Sequence, residues 1–442
     1  MLSFYIEDNN WICRGGLLVD EKRYIQYRKI KAFGNKLCFY ICRVFPIKRN
    51  LISVCTFEGK GGFGCNPKYI VQELHRKNPD YKFVWLVDNI RKEFPDYIKK
   101  VPNTLWSRAY WLSVSKVWID NYRKPYGTCK RRHQYYINTW HGTIGFKTTG
   151  LWRGKAFSPM AYLVSKNDSD MIDAITVDSE WCLEMFPRGL LYEGNFWKIG
   201  APRCDVLYGD KTAFRYEIRK KHGLNADVKI AMYAPTFREK NVNGVRGVYS
   251  EKGSLDFERL LFNLEKRFGG TWYLCLRLHP QLSESVEEYT KSILENRTFN
   301  ETKADDMYDI LAGMDVLITD YSCVAMDAGF GKIPVFIYAD DVEDYIRDRG
   351  NLLWNMSSDS RKTVTSNKRI IPGIDAVLPF PIAQNNEELE ENILNFDVMD
   401  YRKKVEKFAE DVELIFDGRA SSRVADEIDK LMQNNRHKEK RI

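Results

Sequence analysis

His141 and His279 are the residues with the most direct chemical use. Each follows a short β-branched or aromatic run, Tyr135 to Trp140 and Thr271 to Leu278, and each is followed at once by a turn residue, Gly142 or Pro280. A neutral imidazole with an ordinary pKa near ~6.5 can take the proton of an alcohol as that alcohol attacks. A lone histidine at a strand exit can equally cap a helix or bond a carbonyl. The chain has only six histidines, and two at strand exits, one in each half, suggest a cleft with a histidine on each wall. His75, His133, His222 and His437 sit in a helical pattern, a basic cluster, a helix end and the tail, where ordinary roles suffice. A second set, Thr319-Asp320-Tyr321-Ser322-Cys323 with Asp327, brings hydroxyls to a strand-to-helix turn, the arrangement that holds phosphate oxygens. An Asp or Ser N-cap explains one of these residues but not the group. The stretch Glu58 to Gly64 is glycine-rich at another such turn, yet it has neither the Walker A order nor G-x-G-x-x-G and also reads as a plain turn. Asp168-Ser169-Asp170 has the D-x-D form of metal-dependent glycosyltransferases, but it precedes a helical pattern, and an Asx turn accounts for it.

Positioning these residues requires an alternation of strands and helices, and the sequence supplies one. Strands are expected at Leu51 to Phe57, Lys82 to Val87, Lys116 to Asp120, Tyr135 to Trp140 and Ala174 to Val177 in the first half. In the second half they fall at Lys229 to Tyr233, Thr271 to Leu278, Val316 to Thr319 and Pro334 to Tyr338. Helical patterns lie between them, among them Pro67 to Arg76, Thr212 to His222, Leu255 to Phe268 and Asp305 to Ala312. This is how parallel α/β sheets read, and ligands bind such sheets beyond the carboxyl ends of the strands. The periodicity breaks at Gly200-Ala201-Pro202-Arg203 and Gly209-Asp210-Lys211. The expected layout is therefore a basic amphipathic segment over 1–50, one Rossmann-like domain over 51–205, a second over 206–395, and terminal helices over 396–442.

Length and composition fit. The chain's 442 residues suggest two or three domains of ~150 residues each, and 44% hydrophobic and 14% aromatic residues exclude a mainly disordered protein. The net charge of +8 names no ligand by itself, but Met1 to Asn50 holds ten Lys or Arg against four Asp or Glu, which is +6 of it. Aromatic residues interleave with these cations, so the segment suits a membrane surface as well as a solvated face. No signal-peptide pattern opens the chain, and the longest apolar run, Leu37 to Ile47, is broken by Arg43 and Pro46 and is far below the ~20 residues of a spanning helix. The ten cysteines form no C-x-x-C pair, and a reducing cytoplasm fits them.

Taken together, Gly59-Lys60-Gly61 with Asn66-Pro67-Lys68, Trp140-His141-Gly142-Thr143 with Lys147 and Gly150, Gly200-Ala201-Pro202-Arg203 with Asp205, Tyr233-Ala234-Pro235-Thr236 with Arg238, Arg277-Leu278-His279-Pro280, and Leu317 to Ser322 with Asp327 resemble the CDP-glycerol glycerophosphotransferase family, the teichoic acid and capsule polyol-phosphate transferases. The resemblance runs from about Leu51 to Gly350 and implies a GT-B-like fold, two Rossmann-like domains facing a central cleft. It also implies transfer of a polyol phosphate from a CDP-polyol to an acceptor hydroxyl with release of CMP. On that resemblance His141 is the general base and His279 meets the diphosphate, while Thr319, Asp320, Ser322 and Cys323 line the donor phosphates. Pro235, Thr236, Arg238, Arg277 and Asp327 fall on the nucleotide and polyol side, and Gly59, Lys60, Asn66, Trp140, Gly142, Thr143 and Lys147 on the acceptor side. Three positions depart from the family pattern: Ile144 stands for its Pro, Cys323 for its second Ser, and Cys204 for its Asn.

The residue types suit that reaction on their own account. Attack on the β-phosphorus is in-line, and the charge gathering on its oxygens needs donors already in place. Arg277, His279 and the Ser322 turn can supply them. No carboxylate cluster of metal-ligand spacing is evident, and no cofactor is required. The partners expected are the CDP-polyol, a lipid-linked or oligosaccharide acceptor and an anionic membrane surface, with the protein peripheral on the cytoplasmic face. No helix-turn-helix or RNA-recognition pattern supports nucleic acid. Two other readings stand beside this one: a nucleotide-sugar glycosyltransferase of the same fold, and a non-catalytic basic scaffold on a membrane surface.

Overall fold

The computed structural model describes residues 4–7, 10–13, 17–19, 21–236, 238–242, 245–249, 254–278, 296–349, 351–356 and 376–433. In the first half, strands β1 (Phe4–Glu7), β2 (Asn10–Cys13) and β3 (Leu17–Val19) form a small antiparallel sheet. They are followed by β4 (Lys48–Cys55), β5 (Lys82–Val87), β6 (Ile98–Pro102), β7 (Ser115–Asp120), β8 (Tyr135–Asn138), β9 (Ala174–Val177) and β10 (Asn195–Lys198). These seven make one parallel sheet in the order β10-β9-β8-β7-β4-β5-β6.

The second half contains β11 (Lys229–Ala234), β12 (Arg238–Val242), β13 (Val245–Tyr249), β14 (Trp272–Leu276), β15 (Thr298–Asn300), β16 (Val316–Thr319), β17 (Val335–Tyr338) and β18 (Ile382–Ala383). Six of them form a second parallel sheet in the order β15-β14-β11-β16-β17-β18, and β12 pairs with β13 as a separate hairpin. Central strands are buried along their length because helices cover both faces: β7 is buried at every position and β4 from Leu51 onward. A hydroxyl pair in that layer, Ser53 and Ser115, is satisfied internally, oxygen to oxygen at 2.5 Å and on to the Trp111 carbonyl.

The segment 1–50 includes a helix that packs on the first domain. This helix, Glu21–Cys42, buries Tyr24, Ala32, Asn35, Cys38, Phe39 and Cys42, and the last three of these join Leu51, Val114, Trp118 and Tyr136 in one cluster. Asn35 Nδ2 donates to the Tyr126 carbonyl at 3.0 Å. Gly127 is required next to that contact, because its φ is +87° and a Cβ would stand 2.2 Å from the Ala32 carbonyl oxygen.

The C-terminal stretch divides between the domains. Helix Val398–Asp411 packs through Tyr401, Val405 and Phe408 on the second core, whereas helix Ala420–Gln433 crosses back and sets Val424, Ala425, Ile428 and Met432 against Ile52, Val54 and Ile70 of the first. The returning helix is capped from the interdomain turn: the Asp205 carboxylate accepts from Ala420 N at 3.0 Å and Ser421 N at 2.7 Å. Asp205→Ala is expected to lower unfolding stability by about 1–2 kcal/mol, the usual value of an N-cap carboxylate. An unchanged midpoint in urea would refute the cap.

Candidate functional site

The exits of β8 and β16 meet, with Gly142 against Cys323, so both strands open onto one cleft. After β8 the chain bends abruptly. Trp140 adopts φ +49°, unusual for a bulky residue, and a set of polar contacts holds it there. Trp140 N donates to Asn138 Oδ1 at 2.7 Å, Thr139 N donates to the Asp120 carbonyl at 2.8 Å, and buried Asn66 donates to the carbonyls of Thr139 and Trp140 at 3.3 and 3.1 Å. The bend delivers His141 into an aromatic frame of Tyr122, Trp140 and Phe57, with ring centroids 5.2, 4.5 and 5.5 Å away. Asn121, at the exit of β7, presents its carbonyl oxygen 2.8 Å from His141 Nδ1. A carbonyl only accepts, so Nδ1 carries the proton and Nε2 keeps its lone pair, with no partner among the described residues. Burial, ahead of the cations Arg203, Arg123 and Lys147, pulls the His141 pKa down to about 4, against the raising effect of the Asn121 bond. The ring is neutral at pH 7.

Opposite lies the exit of β16. Gly142 faces Cys323 so closely that an added Cβ would sit 3.2 Å from Sγ, and at Gly145 it would be 3.7 Å from the Cys323 Cβ. Ser322 and Cys323 are half-buried at this wall, and Ser322 Oγ accepts from Val324 N only at 3.4 Å. Lys147 belongs to the first domain in sequence, but it reaches the second. Its Nζ is 3.5 Å from Thr236 Oγ1, so it touches the second domain while its charge also acts on His141.

Several expected site residues have other tasks. Thr319 Oγ1 donates to the Ala234 carbonyl at 2.6 Å, and the Asp320 carboxylate accepts from Thr236 N, Thr236 Oγ1, Tyr321 N and Arg238 Nη1. Both side chains build the turn, and a carboxylate already holding four donors offers nothing to an anion. Arg238 is spent on Asp320 at 2.8 Å and Asp341 at 2.5 Å, over the rings of Tyr321 and Tyr345. Arg277 turns its guanidinium to the carbonyls of Glu301 and Ala304. Asp327 is buried against Arg203 and Tyr308. Pro235 is half-buried beside Thr236 at the exit of β11. His279 lies outside the described residues.

On the other wall Lys60 is exposed, and Gly59, at φ +95°, is a tight turn against Asn103 and Asp88. The glycines beyond it serve domain docking: a Cβ on Gly62 would overlap the Asp305 carboxylate at 2.0 Å, and on Gly64 the Asp305 carbonyl oxygen at 2.5 Å. Around them Lys68 pairs with Asp306 at 2.9 Å and with Asp309, and Lys92 pairs with Asp305. Thr143 is buried with its hydroxyl 3.3 Å from Arg203 Nη2. Asp168 ends helix Pro159–Ser169 instead of preceding a helix. It accepts from Lys124 N and Tyr136 Oη, and burial raises its pKa to about 7. Among the described residues no group of three or more His, Cys, Asp or Glu is placed to hold a metal ion.

Asn121 and Tyr122 went unread in the sequence, although they directly follow an expected strand, Lys116 to Asp120. Strand-exit position was their only signal, since the atom that matters in Asn121 is a main-chain oxygen.

The model of the CDP-glycerol:poly(glycerophosphate) glycerophosphotransferase family matches residues 37–430. The chain belongs to that family. It is 28% identical over 389 residues to a teichoic acid poly(glycerol phosphate) polymerase of Staphylococcus epidermidis, covering 85% of this chain and 50% of that protein. It is also 28% identical over 335 residues to the teichoic acid ribitol-phosphate polymerase TarK of Staphylococcus aureus, covering 72% of this chain and 61% of that one. The chain thus spans only about half to three fifths of these relatives' lengths. The solved structure of the wall teichoic acid polymerase TagF superposes with a TM-score of 0.72 at 23% identity, over 94% of this chain and 99% of that one. The GT-B-like architecture of two facing parallel-sheet domains is therefore shared.

Proposed function

We propose that this protein transfers glycerol phosphate or ribitol phosphate from the corresponding CDP-polyol to an acceptor hydroxyl and releases CMP, in the synthesis of teichoic acid or a related cell-surface polymer. The observation that carries the reading is His141, held neutral with Nδ1 pinned to the Asn121 carbonyl, beside Gly142, which lies against Cys323 of the opposite wall. Nε2 takes the proton of the acceptor hydroxyl as its oxygen attacks the β-phosphorus. The bond from that phosphorus to the bridging oxygen breaks, and CMP leaves with the electron pair. Lys147 beside Thr236 brings a cation to the departing phosphate, and Ser322 offers a hydroxyl. The family membership supports the CDP-polyol donor, and relatives named for both glycerol phosphate and ribitol phosphate leave both polyols in the proposal.

The test is to incubate the protein with CDP-glycerol or CDP-ribitol and lipid-linked or oligosaccharide acceptors, then quantify CMP and product length. Release of a nucleoside diphosphate from a nucleotide sugar, with no CMP from either donor, would favour the glycosyltransferase reading instead. Ser322→Ala is expected to weaken donor binding by about 1–3 kcal/mol, as for a hydroxyl that meets a charged oxygen. Titration calorimetry showing unchanged affinity would move the diphosphate away from this wall.

The same reading puts the protein on the cytoplasmic face of a membrane. Among the described residues no helix is long and apolar enough to cross a bilayer. A surface contact is supported by helix Glu21–Cys42, whose outer face exposes Ile30, Phe33, Leu37, Tyr40 and Ile41 beside Lys29, Lys31 and Lys36. This is the pattern of an interfacial helix.

A further inference from the structure

Arg203 is fully buried between the two domains, in the turn that joins them, and its contacts reach both walls of the cleft. Nε donates to Tyr308 Oη at 2.6 Å, and Nε and Nη2 both meet Asp327 at 3.1 Å, two groups of the second domain. Nη2 also reaches Thr143 Oγ1 at 3.3 Å, two residues past His141. The main chain of the same residue is tied in as well: Arg203 N donates to Asn66 Oδ1 at 2.9 Å, and Asn66 is the residue whose amide fixes the carbonyls of Thr139 and Trp140 at the strained bend.

Burying a guanidinium and a carboxylate is costly, and an apolar contact would glue two domains at least as well. What the ion pair adds is a fixed geometry, because the planar fork and the carboxylate meet in few ways. Asp327 lies four residues from Cys323, on the helix Val324–Phe330 that leaves the donor wall. One side chain therefore sets the loop that carries the base relative to the wall that faces it.

We infer that Arg203 is a positioning residue, which couples docking of the second domain through Asp327 and Tyr308 to the placement of His141 through Thr143 and Asn66. This rests on the proposed role of His141 as the base. Arg203 touches none of the reacting atoms in this scheme. It fixes the distance over which the attacking oxygen and the phosphorus meet, and small misplacements of such groups reduce turnover severely.

Arg203→Gln, Arg203→Lys and Asp327→Asn, assayed as full-length proteins for CMP release from CDP-glycerol and for donor affinity, test the inference. Arg203→Gln is expected to lower kcat by about 10–100-fold while the donor dissociation constant stays within about threefold, the split of an interaction used in the transition state. The pH profile supplies a reading that loss of folded protein cannot imitate. His141 is faced by Arg203 from the interdomain turn, by Arg123 from the turn after β7, by Lys147 from the stretch that follows it, and by the Asn121 carbonyl. Removing the Arg203 charge favours the protonated ring, so the acid limb of kcat should move to higher pH. Arg203→Lys keeps the charge and loses the fork, so kcat should fall with the limb in place. Asp327→Asn leaves the cation unbalanced and should shift the limb the other way.

An Arg203→Gln enzyme whose limb is unmoved, and whose loss of rate matches a loss of folded protein by thermal unfolding, would overturn the inference. Should that variant not fold, Arg203→Lys and Asp327→Asn decide: wild-type kcat in both would overturn it equally. Failure of the functional proposal is seen separately, as absence of CMP release by the wild-type protein or retention of it after loss of His141.

Discussion

His141→Ala is expected to lose about 100-fold to 10,000-fold in transfer rate, the contribution of a well-placed general base, with CDP-polyol affinity nearly unchanged. The two effects should separate because, in the proposed reaction, the base serves the acceptor from the first domain, while the donor lies against Ser322 and Cys323 of the second. The pH dependence has a definite sign. Burial and the nearby cations disfavour the charged imidazolium and bring the pKa from 6.5 down to about 4, so the neutral base persists well below pH 6. Activity should be flat through neutrality and fall on a limb far more acid than an ordinary histidine gives. A limb centred near 6.5 would mean that the ring is open to water in the working enzyme. A variant keeping more than about a tenth of the wild-type rate would exclude His141 as the base.

What could be read in the sequence follows from what each feature depends on. Lys82 to Val87, Ala174 to Val177 and Val316 to Thr319 are legible to the residue because each is buried throughout, apart from Lys82 at its edge, and is bounded by turn residues. The strand expected to run to Trp140 stops at Asn138, since nothing local announces that Trp140 takes a positive φ. Edge strands leave little pattern in the sequence: Ile98–Pro102 carries Lys99 and Lys100, and Thr298–Asn300 and Ile382–Ala383 are too short for one.

At the site, His141 was visible by type and position. Asn66 and Gly62 were visible only as motif members, because their tasks depend on residues 73 and 243 positions away, the Thr139 carbonyl and the Asp305 carboxylate. Asp320 and Arg238 are expected at the site as members of the family's motif blocks, and in the fold they pair with each other, Arg238 also with Asp341. A motif residue that builds a turn and one that touches a ligand look the same in sequence.

The segment 1–50 illustrates the same limit from the opposite side, since its charge was plain and its apolar stripe emerged only with the helix. Positions 30, 33, 37, 40 and 41 share one face of helix Glu21–Cys42, because its other face is packed on the first domain, and Phe33 is 70% exposed. The proposed bilayer contact through this face would have two components. Each Lys or Arg near an anionic surface contributes about 1 kcal/mol, and this part decays over a Debye length of ~10 Å at 0.1 M salt. Burying an apolar side chain contributes about 1.5–3 kcal/mol, independent of lipid charge. The double change Phe33→Glu with Leu37→Glu removes two such groups and adds two charges of the sign the membrane repels. It should therefore weaken sedimentation with anionic liposomes by ~100-fold or more, whereas raising the salt should remove only the charge-dependent share. Both positions are exposed, so the fold and the rate on a water-soluble acceptor should be preserved. Undiminished liposome binding by the double variant would remove this helix from the contact. Equal binding to neutral and anionic vesicles, insensitive to salt, would leave the apolar stripe acting without the cations that flank it.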